Sequence, residues 1–196
     1  MTPLELILDA LAFAAEKHRD QRRKDPEASP YVNHPIALAR ILAHEGGIDE
    51  PHVLAAALLH DTVEDTETTI EELKRRFGPR VASMVAEVTD DKTLPAPVRK
   101  RLQVEHASQL SLGARLVKLA DKIANLRDLA KSPPPSWTLE RRQLYFDWAK
   151  EVVDELRGTS PRLEKAFDAA YAAKPRTPRA AAKATKARGV VASRKR

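Results

Sequence analysis

An apolar run that passes without a break into charged residues is the strongest constraint on the fold of this chain. Residues 53–59 are all valine, leucine or alanine, and the pairs His60-Asp61 and Glu64-Asp65 follow almost directly. If the helix continues through both pairs, side chains four residues apart lie one above the other on its surface. One imidazole and three carboxylates then crowd the end of a helix whose other surfaces are apolar.

This crowding has two interpretations. Carboxylates packed together repel one another unless a cation or exposure to water relieves the repulsion. The cluster is therefore either an exposed acidic helix end or a metal site. Imidazole combined with carboxylate is a ligand set for divalent first-row metals, which favours the metal site. The sequence has no cysteine, so nitrogen and oxygen atoms must hold any metal, and disulfides and cysteine nucleophiles are excluded.

The rest of the body shows helical spacing of apolar residues and no sustained strand alternation. Residues 4–18 form an amphipathic stripe that His18 closes, and we expect this histidine to be a core or supporting residue rather than a ligand. Asn33 as N-cap and Pro35 in the first turn predict a helix start that fixes the position of His34. We predict one all-α domain, a bundle of eight or nine helices, over residues 1–173.

Residues 174–196 differ in composition from this body. They carry nine of the 34 Lys and Arg residues and no acidic residue, which leaves 25 basic against 28 acidic residues in the body. Few apolar side chains are available for packing, so we predict a disordered basic tail. Such a tail either keeps the protein in solution or binds nucleic acid and other polyanions without reading sequence.

The cellular location is also predicted from composition. No apolar run approaches the roughly 20 residues needed to cross a bilayer. The N-terminal stretch carries acidic residues and lacks the basic lead-in of a signal peptide. We therefore expect no membrane association and a cytoplasmic protein.

Four candidate metal ligands lie on three separate predicted helices. Two imidazoles and two carboxylates suit Mn²⁺, Fe²⁺ or Zn²⁺, and six-coordination leaves positions for water and substrate; we favour Mn²⁺. On the predicted helix 114–130, polar residues recur three to four apart beside an apolar face, which fits either a pocket wall or an ordinary exposed face. The candidate ligands are His34, His60, Asp61 and Asp121.

The remaining charged residues indicate a reaction class. Glu64 and Asp65 are placed to accept a proton from a metal-activated water and later to protonate a leaving oxygen. Basic side chains suit a substrate with several phosphates better than a neutral amide or ester. Hydrolysis of a phosphoester or pyrophosphate ester is therefore the expected reaction. The basic candidates are Arg22, Arg23, Lys24, Lys92 and Lys118.

Several motifs together resemble a known family. They lie at residues 21–26, 31–35, 56–66, 87–92 and 117–127. A distant histidine, a His-Asp pair and a distant aspartate are the pattern of HD-domain phosphohydrolases. The full set closely resembles the (p)ppGpp hydrolase domain of the Rel/SpoT proteins, and most of all the stand-alone small alarmone hydrolases, which include the metazoan SpoT homologue. The likeness covers about residues 1–172.

The resemblance implies an Mn²⁺ enzyme of nucleotide metabolism that removes pyrophosphate from the 3′ position of ppGpp or pppGpp. It implies metal ligation by the four candidates above and water activation by Glu64 and Asp65. Asp128 stands where the long bifunctional enzymes tend to carry threonine. The implied substrate contacts are Arg23 along the base, Lys24 and Lys118 near phosphates, and Asn125 and Tyr145 near the nucleoside.

Two other functions stay open on the sequence. An HD phosphohydrolase with a similar pocket could act on another nucleotide, such as NADPH, whose 2′-phosphate the metazoan members are associated with removing. Alternatively, the helical body could be a scaffold and the basic tail could bind nucleic acid. The second alternative leaves three separated ligand segments unexplained. We also expect hydrolysis alone, because the synthetase and regulatory regions of the long enzymes do not occur in this sequence.

Overall fold

The structure, a computed structural model, describes residues 1–176, and this part of the chain is all-α, as predicted. No strand forms among these residues; one isolated bridge pairs Arg22 with Pro30. A π-helical turn, Ile41–Gly46, continues the second helix. The helices are α1 (Pro3–Lys17), α2 (Asn33–Arg40), α3 (Pro51–Leu59), α4 (Thr62–Asp65), α5 (Ile70–Phe77), α6 (Pro79–Val88), α7 (Ala96–Ala107), α8 (Leu112–Lys131), α9 (Leu139–Asp154) and α10 (Pro161–Ala172).

Helices α3 and α8 lie at the centre of the bundle. Every residue of 53–59 in α3 is buried, which explains why this helix is apolar on all faces. Helix α8 packs against α2, α3, α6, α9 and α10, and its buried residues run along its whole length. Since side chains on these two helices cannot move without disturbing the core, polar groups at their ends and edges are held firmly.

The predicted continuous helix through His60 is wrong in one respect. Helix α3 ends at Leu59, and a separate four-residue helix, α4, begins at Thr62. The hydroxyl of Thr62 donates to the carbonyl of Leu59 at 2.7 Å, a local bond of the kind that competes with regular helix. With this short helix included, residues 1–176 form ten α-helices. The residues therefore do not stack on one continuous helix surface. The side chains of His60 and Asp61 contact different groups from those of Glu64 and Asp65 on α4.

The chain after α10 keeps contact with the bundle for a few residues. Lys174 Nζ lies 2.5 Å from a carboxylate oxygen of Asp147, and Gln143 donates to the carbonyl of Pro175 at 2.9 Å. The predicted disordered tail lies, from residue 177 on, outside the described residues. None of the helices up to Ala172 has both the length and the hydrophobicity that a transmembrane segment needs.

Candidate metal centre

Three separate segments bring the predicted ligands together. His34 comes from the first turn of α2, His60 from the end of α3, and Asp121 from the middle of α8, and one ligand atom of each lies within 4.8 Å of the others. Asp61 joins them: its Oδ2 is 2.9 Å from Nε2 of His60 and 3.8 Å from Nε2 of His34. Asn33 begins α2 but makes no side-chain cap bond, so buried packing rather than capping fixes His34.

The donor atoms of this cluster fit a divalent cation. Nδ1 of His60 donates to the carbonyl of Ala57 at 2.9 Å, so its Nε2 is the nitrogen free to bind a metal. That Nε2 is buried and has no hydrogen-bond partner within residues 1–176. Nε2 of His34 faces Oδ1 of Asp121 at 3.2 Å. Buried imidazole nitrogens that face partly buried carboxylates are an arrangement that a shared cation completes.

The electrostatics of the cluster favour added positive charge. Burial opposes a charge on His60, yet the carboxylates of Asp61 and Asp121 outweigh burial and raise its pKa. Burial also acts to raise the pKa of Asp121, but the ammonium of Lys122 and the two imidazoles hold that pKa well below its ordinary value. The site therefore keeps its carboxylates charged and attracts a cation.

Each carboxylate ligand is held by further hydrogen bonds that the sequence did not reveal. The hydroxyl of Tyr31 donates to Oδ2 of Asp61. Asn125 donates to Oδ1 of Asp121 at 2.5 Å, and Lys122 donates to Oδ2 at 3.1 Å. The ammonium of Lys122 is buried and also lies 4.2 Å from the centre of the Trp148 ring. Lys122 follows its partner directly in sequence, but its burial depends on contacts with Gln103 of α7 and Trp148 of α9.

The adjacent acids Glu64 and Asp65 have different surroundings. Burial raises the pKa of Glu64, and the neighbouring carboxylates of Asp61 and Asp90 add to the rise. One oxygen of Glu64 accepts from the backbone N–H of Asp90 at 3.1 Å. Asp65 accepts at both oxygens, from the amide of Gln21 at 3.0 Å and from the ammonium of Lys92.

The cluster lies in an inner chamber of about 200 Å³ that adjoins an outer chamber of about 550 Å³. The outer chamber is lined by cationic and aromatic side chains, among them Lys24, Trp137 and Tyr145. The two chambers share part of their lining, and one of the shared residues, His34, is a candidate metal ligand. The shared residues are Arg23, Tyr31, His34, Asp65, Asn125 and Tyr145.

The boundary between the chambers is marked by Arg23. Its guanidinium donates to the carboxylate of Asp128 at 2.8 Å and approaches the amide oxygen of Asn125 at 3.5 Å. It also lies 5.6 Å from the centre of the Tyr31 ring, within cation–π range. The sequence motif included Arg23 but gave no indication that Asp128, 105 residues away, holds it.

Of the other predicted substrate contacts, Lys118 lines the inner chamber and Lys24 the outer one. The ammonium of Lys118 donates to the carbonyl of Val88 at 3.1 Å. Burial, together with the nearby charge of Lys122, lowers the pKa of Lys118 to about 8. Lys92 is not among the residues that line either chamber. It comes from the loop between α6 and α7 and contacts Asp65.

Comparison with known proteins gives consistent matches. Residues 10–147 match the HD domain family. Guanosine-3′,5′-bis(diphosphate) 3′-pyrophosphohydrolase MESH1 of Xenopus tropicalis is 62% identical over 163 residues, which cover 83% of this chain and 91% of that protein. The human protein of the same name is 61% identical over 161 residues, covering 82% and 90%.

A solved structure supports the same grouping. It belongs to a metazoan orthologue of SpoT that is described as hydrolysing ppGpp and playing a role in starvation responses. It superposes with a TM-score of 0.83 at 53% identity and covers 85% of this chain and 94% of that one. The resemblance noted in the motifs is thereby confirmed. This chain belongs to the HD-domain family and, within it, to the family of the MESH1 proteins.

Proposed function

We propose that this chain hydrolyses ppGpp and pppGpp at the 3′-pyrophosphate, giving GDP or GTP and pyrophosphate, with Mn²⁺ as the metal. The observation that carries the proposal is the convergence of His34, His60 and Asp121, from three separate segments, at the inner end of a two-chamber cavity. The names of relatives at 61–62% identity support the substrate. The oxygen and nitrogen donor set supports Mn²⁺.

The metal site is the first part of the mechanism. His34, His60, Asp61 and Asp121 would hold the cation, and Tyr31, Asn125 and Lys122 fix the orientation of the two carboxylates. A bound divalent cation supplies Lewis acidity, which lowers the pKa of water and polarises a phosphoryl oxygen. Such supporting hydrogen bonds commonly change metal affinity or activity by about 10- to 100-fold when they are removed.

The two neighbouring acids divide the proton chemistry. We assign Glu64 as the group that takes the proton from the attacking water, because its raised pKa brings it closer to the working pH and its side chain lines the inner chamber. Asp65 accepts hydrogen bonds at both oxygens, so it suits orientation of the water better than proton transfer. After the bond breaks, protonated Glu64 returns the proton to the leaving oxygen.

The lining of the two chambers supports the proposed substrate contacts. Lys118 in the inner chamber and Arg23 at the boundary place positive charge along the path of a polyphosphate. Tyr145 and Trp137, whose ring centres lie 5.7 Å apart, offer aromatic surface for a base in the outer chamber. A volume of about 550 Å³ lies within the range of small-molecule sites. Lys24, Lys92 and Asn125 complete the proposed set of substrate contacts.

One assay tests the function. Purified protein with Mn²⁺ is incubated with ppGpp, NADPH and ATP, and the assay is repeated with Asp61→Ala and with Asp20→Ala, whose carboxylate is 91% exposed. We expect ppGpp turnover by the wild type and by Asp20→Ala, and none by Asp61→Ala. Turnover of NADPH or ATP with ppGpp untouched would contradict the substrate. Equal turnover by Asp61→Ala would contradict the metal-dependent mechanism.

We propose that the enzyme is cytoplasmic. We also propose that its basic residues 174–196 take no part in catalysis. Deletion after Ala173 should leave ppGpp turnover within about twofold and weaken salt-sensitive retention on nucleic acid, because each phosphate contact releases counterions. Loss of turnover in the shortened protein would contradict this separation.

A further inference from the structure

A buried histidine is linked to Asp65 and has no place in the mechanism above. His18, at the end of α1, is 1% exposed, and its ring lies against Tyr31 with centres 4.7 Å apart. Its Nδ1 is 2.6 Å from Oε1 of Gln21. Nε2 of Gln21 in turn donates to Oδ2 of Asp65 at 3.0 Å, across 44 residues of sequence. Two hydrogen bonds in series thus join the end of α1 to the acid pair on α4.

The direction of both bonds follows from the chemistry of the groups. A carboxylate oxygen only accepts, so Gln21 must present its NH₂ group to Asp65 and its carbonyl oxygen to His18. That oxygen also only accepts, so the proton of His18 must be on Nδ1. The amide of Gln21 is therefore fixed from both sides, since a flipped amide would bring its oxygen against Asp65 and its NH₂ against an N–H.

The second oxygen of Asp65 has a partner of a different kind. Lys92 comes from the loop between α6 and α7, and its side chain is 48% exposed. A long exposed lysine keeps much of its rotamer freedom, and its charge is attracted to any phosphate that enters. The Gln21 bond is backed by a buried ring instead. Of the two donors, only Gln21 is placed to keep hold of Asp65 when a polyphosphate draws Lys92 away.

We propose that His18 and Gln21 are positioning residues: His18 fixes the amide of Gln21, and Gln21 holds the Asp65 carboxylate in its working orientation throughout turnover. The inference deepens the proposed function, on which it rests, because Asp65 acts on the attacking water there. Neither residue contacts the metal ligands by a hydrogen bond. Their effect should therefore appear in kcat and not in metal binding.

The decisive variant is Gln21→Glu, which keeps the shape of the side chain and replaces the donor facing Asp65 by an acceptor. We expect kcat for ppGpp to fall about 10- to 100-fold, since small errors in the position of a reacting group have effects of this size. KM and the Mn²⁺ dissociation constant, from calorimetric titration, should stay within about twofold. Gln109→Glu, the same change on an exposed residue, should match the wild type. Melting curves of all variants check that they fold.

A pair of substitutions at His18 tests the role of Nδ1. The amide nitrogen of His18→Asn takes the place of Nδ1 and can still donate to Gln21, whereas that of His18→Gln takes the place of Nε2. We expect His18→Asn to keep kcat within about threefold of the wild type. His18→Gln should lower kcat as much as Gln21→Glu does, because the two His18 variants differ by one directed hydrogen bond. Nitrogen-15 spectra of labelled histidine should show the His18 proton on Nδ1 in the wild type.

The outcomes separate the two claims. A wild type that leaves ppGpp intact would overturn the proposed function, while the His18 spectrum still tests the hydrogen-bond chain. An active wild type whose Gln21→Glu variant has the kcat of Gln109→Glu would overturn the positioning role. Equal losses in His18→Asn and His18→Gln, or a His18 proton on Nε2, would also overturn it.

Discussion

The inner and outer chambers are built in different ways. The inner chamber takes its candidate ligands from α2, the end of α3 and α8; His34 and His60 are buried, and other side chains hold the carboxylates of Asp61 and Asp121. The outer chamber is lined by loop residues and by side chains such as Asp128, which is 56% exposed. A pre-organised inner chamber suits chemistry with one fixed geometry. A more exposed outer chamber suits recognition of a nucleoside. Loss of one contact there should weaken substrate binding only modestly.

This contrast predicts large effects on kcat or metal binding from the inner chamber and smaller effects on KM from the outer one. The sharpest case is Glu64→Gln, which removes the group that takes the proton. We expect kcat to fall about 10²- to 10⁴-fold. The Mn²⁺ dissociation constant should stay within about threefold, since Glu64 is not among the ligands. Glu16→Gln, an exposed change on α1, is the control. A kcat close to that of the wild type would rule out Glu64 as the base.

The next largest effect is expected for Tyr31→Phe, which removes the hydroxyl that donates to Asp61 and keeps the ring against His18. Loss of one supporting bond should weaken Mn²⁺ binding about 10- to 100-fold and lower turnover at limiting Mn²⁺. Excess Mn²⁺ should restore most of the turnover. Unchanged Mn²⁺ affinity in a calorimetric titration would show that the ligand set does not depend on this bond.

A smaller effect is expected for Asp128→Asn in the outer chamber. The change removes the charge that holds Arg23 at the boundary. Because Asp128 is half exposed, solvent screens the pair, and we expect KM to rise about three- to tenfold with kcat nearly unchanged. Steady-state kinetics should be measured for Asp128→Asn and for the control Asp9→Asn, which makes the same change at an exposed position. A fall in kcat without a change in KM would place Asp128 with the inner chamber instead.

The mildest test is the pH dependence that Lys118 should impose. Its pKa of about 8 lies below that of an ordinary lysine, so its ammonium is charged below about pH 8 and loses its charge above it. We expect kcat/KM for ppGpp to decline above that pH, and the decline to disappear in Lys118→Arg, because arginine stays protonated. Lys24→Arg should keep the decline. A profile that Lys118→Arg leaves unchanged would assign the decline to another group.

Local sequence patterns predicted part of this architecture. The apolar run 53–59 predicted a buried helix, which the structure confirms, and the acidic and imidazole side chains after it favoured a metal site, which stays a prediction. The break after Leu59 was missed, because it depends on a hydroxyl bond of Thr62 that competes with the helix. Periodicity carries no information about such a bond.

Contacts between distant segments were beyond local patterns. Arg23 and Asp128 are 105 residues apart, and Gln21 and Asp65 are 44 apart. Each of these residues is an ordinary polar side chain in its own segment. Its partner is set by how α1, α4 and α8 pack, which depends on the whole core and not on spacing along one helix.

Three distant segments of the chain are proposed to bind one divalent cation. Mn²⁺ titration followed by electron paramagnetic resonance tests this proposal most directly, with the wild type beside His34→Ala, Asp61→Ala and Asp121→Ala, and with melting curves to confirm folding. We predict one tightly bound Mn²⁺ per wild-type chain and loss of tight binding in each variant. Tight Mn²⁺ binding that survives in any of the three folded variants would contradict the shared site.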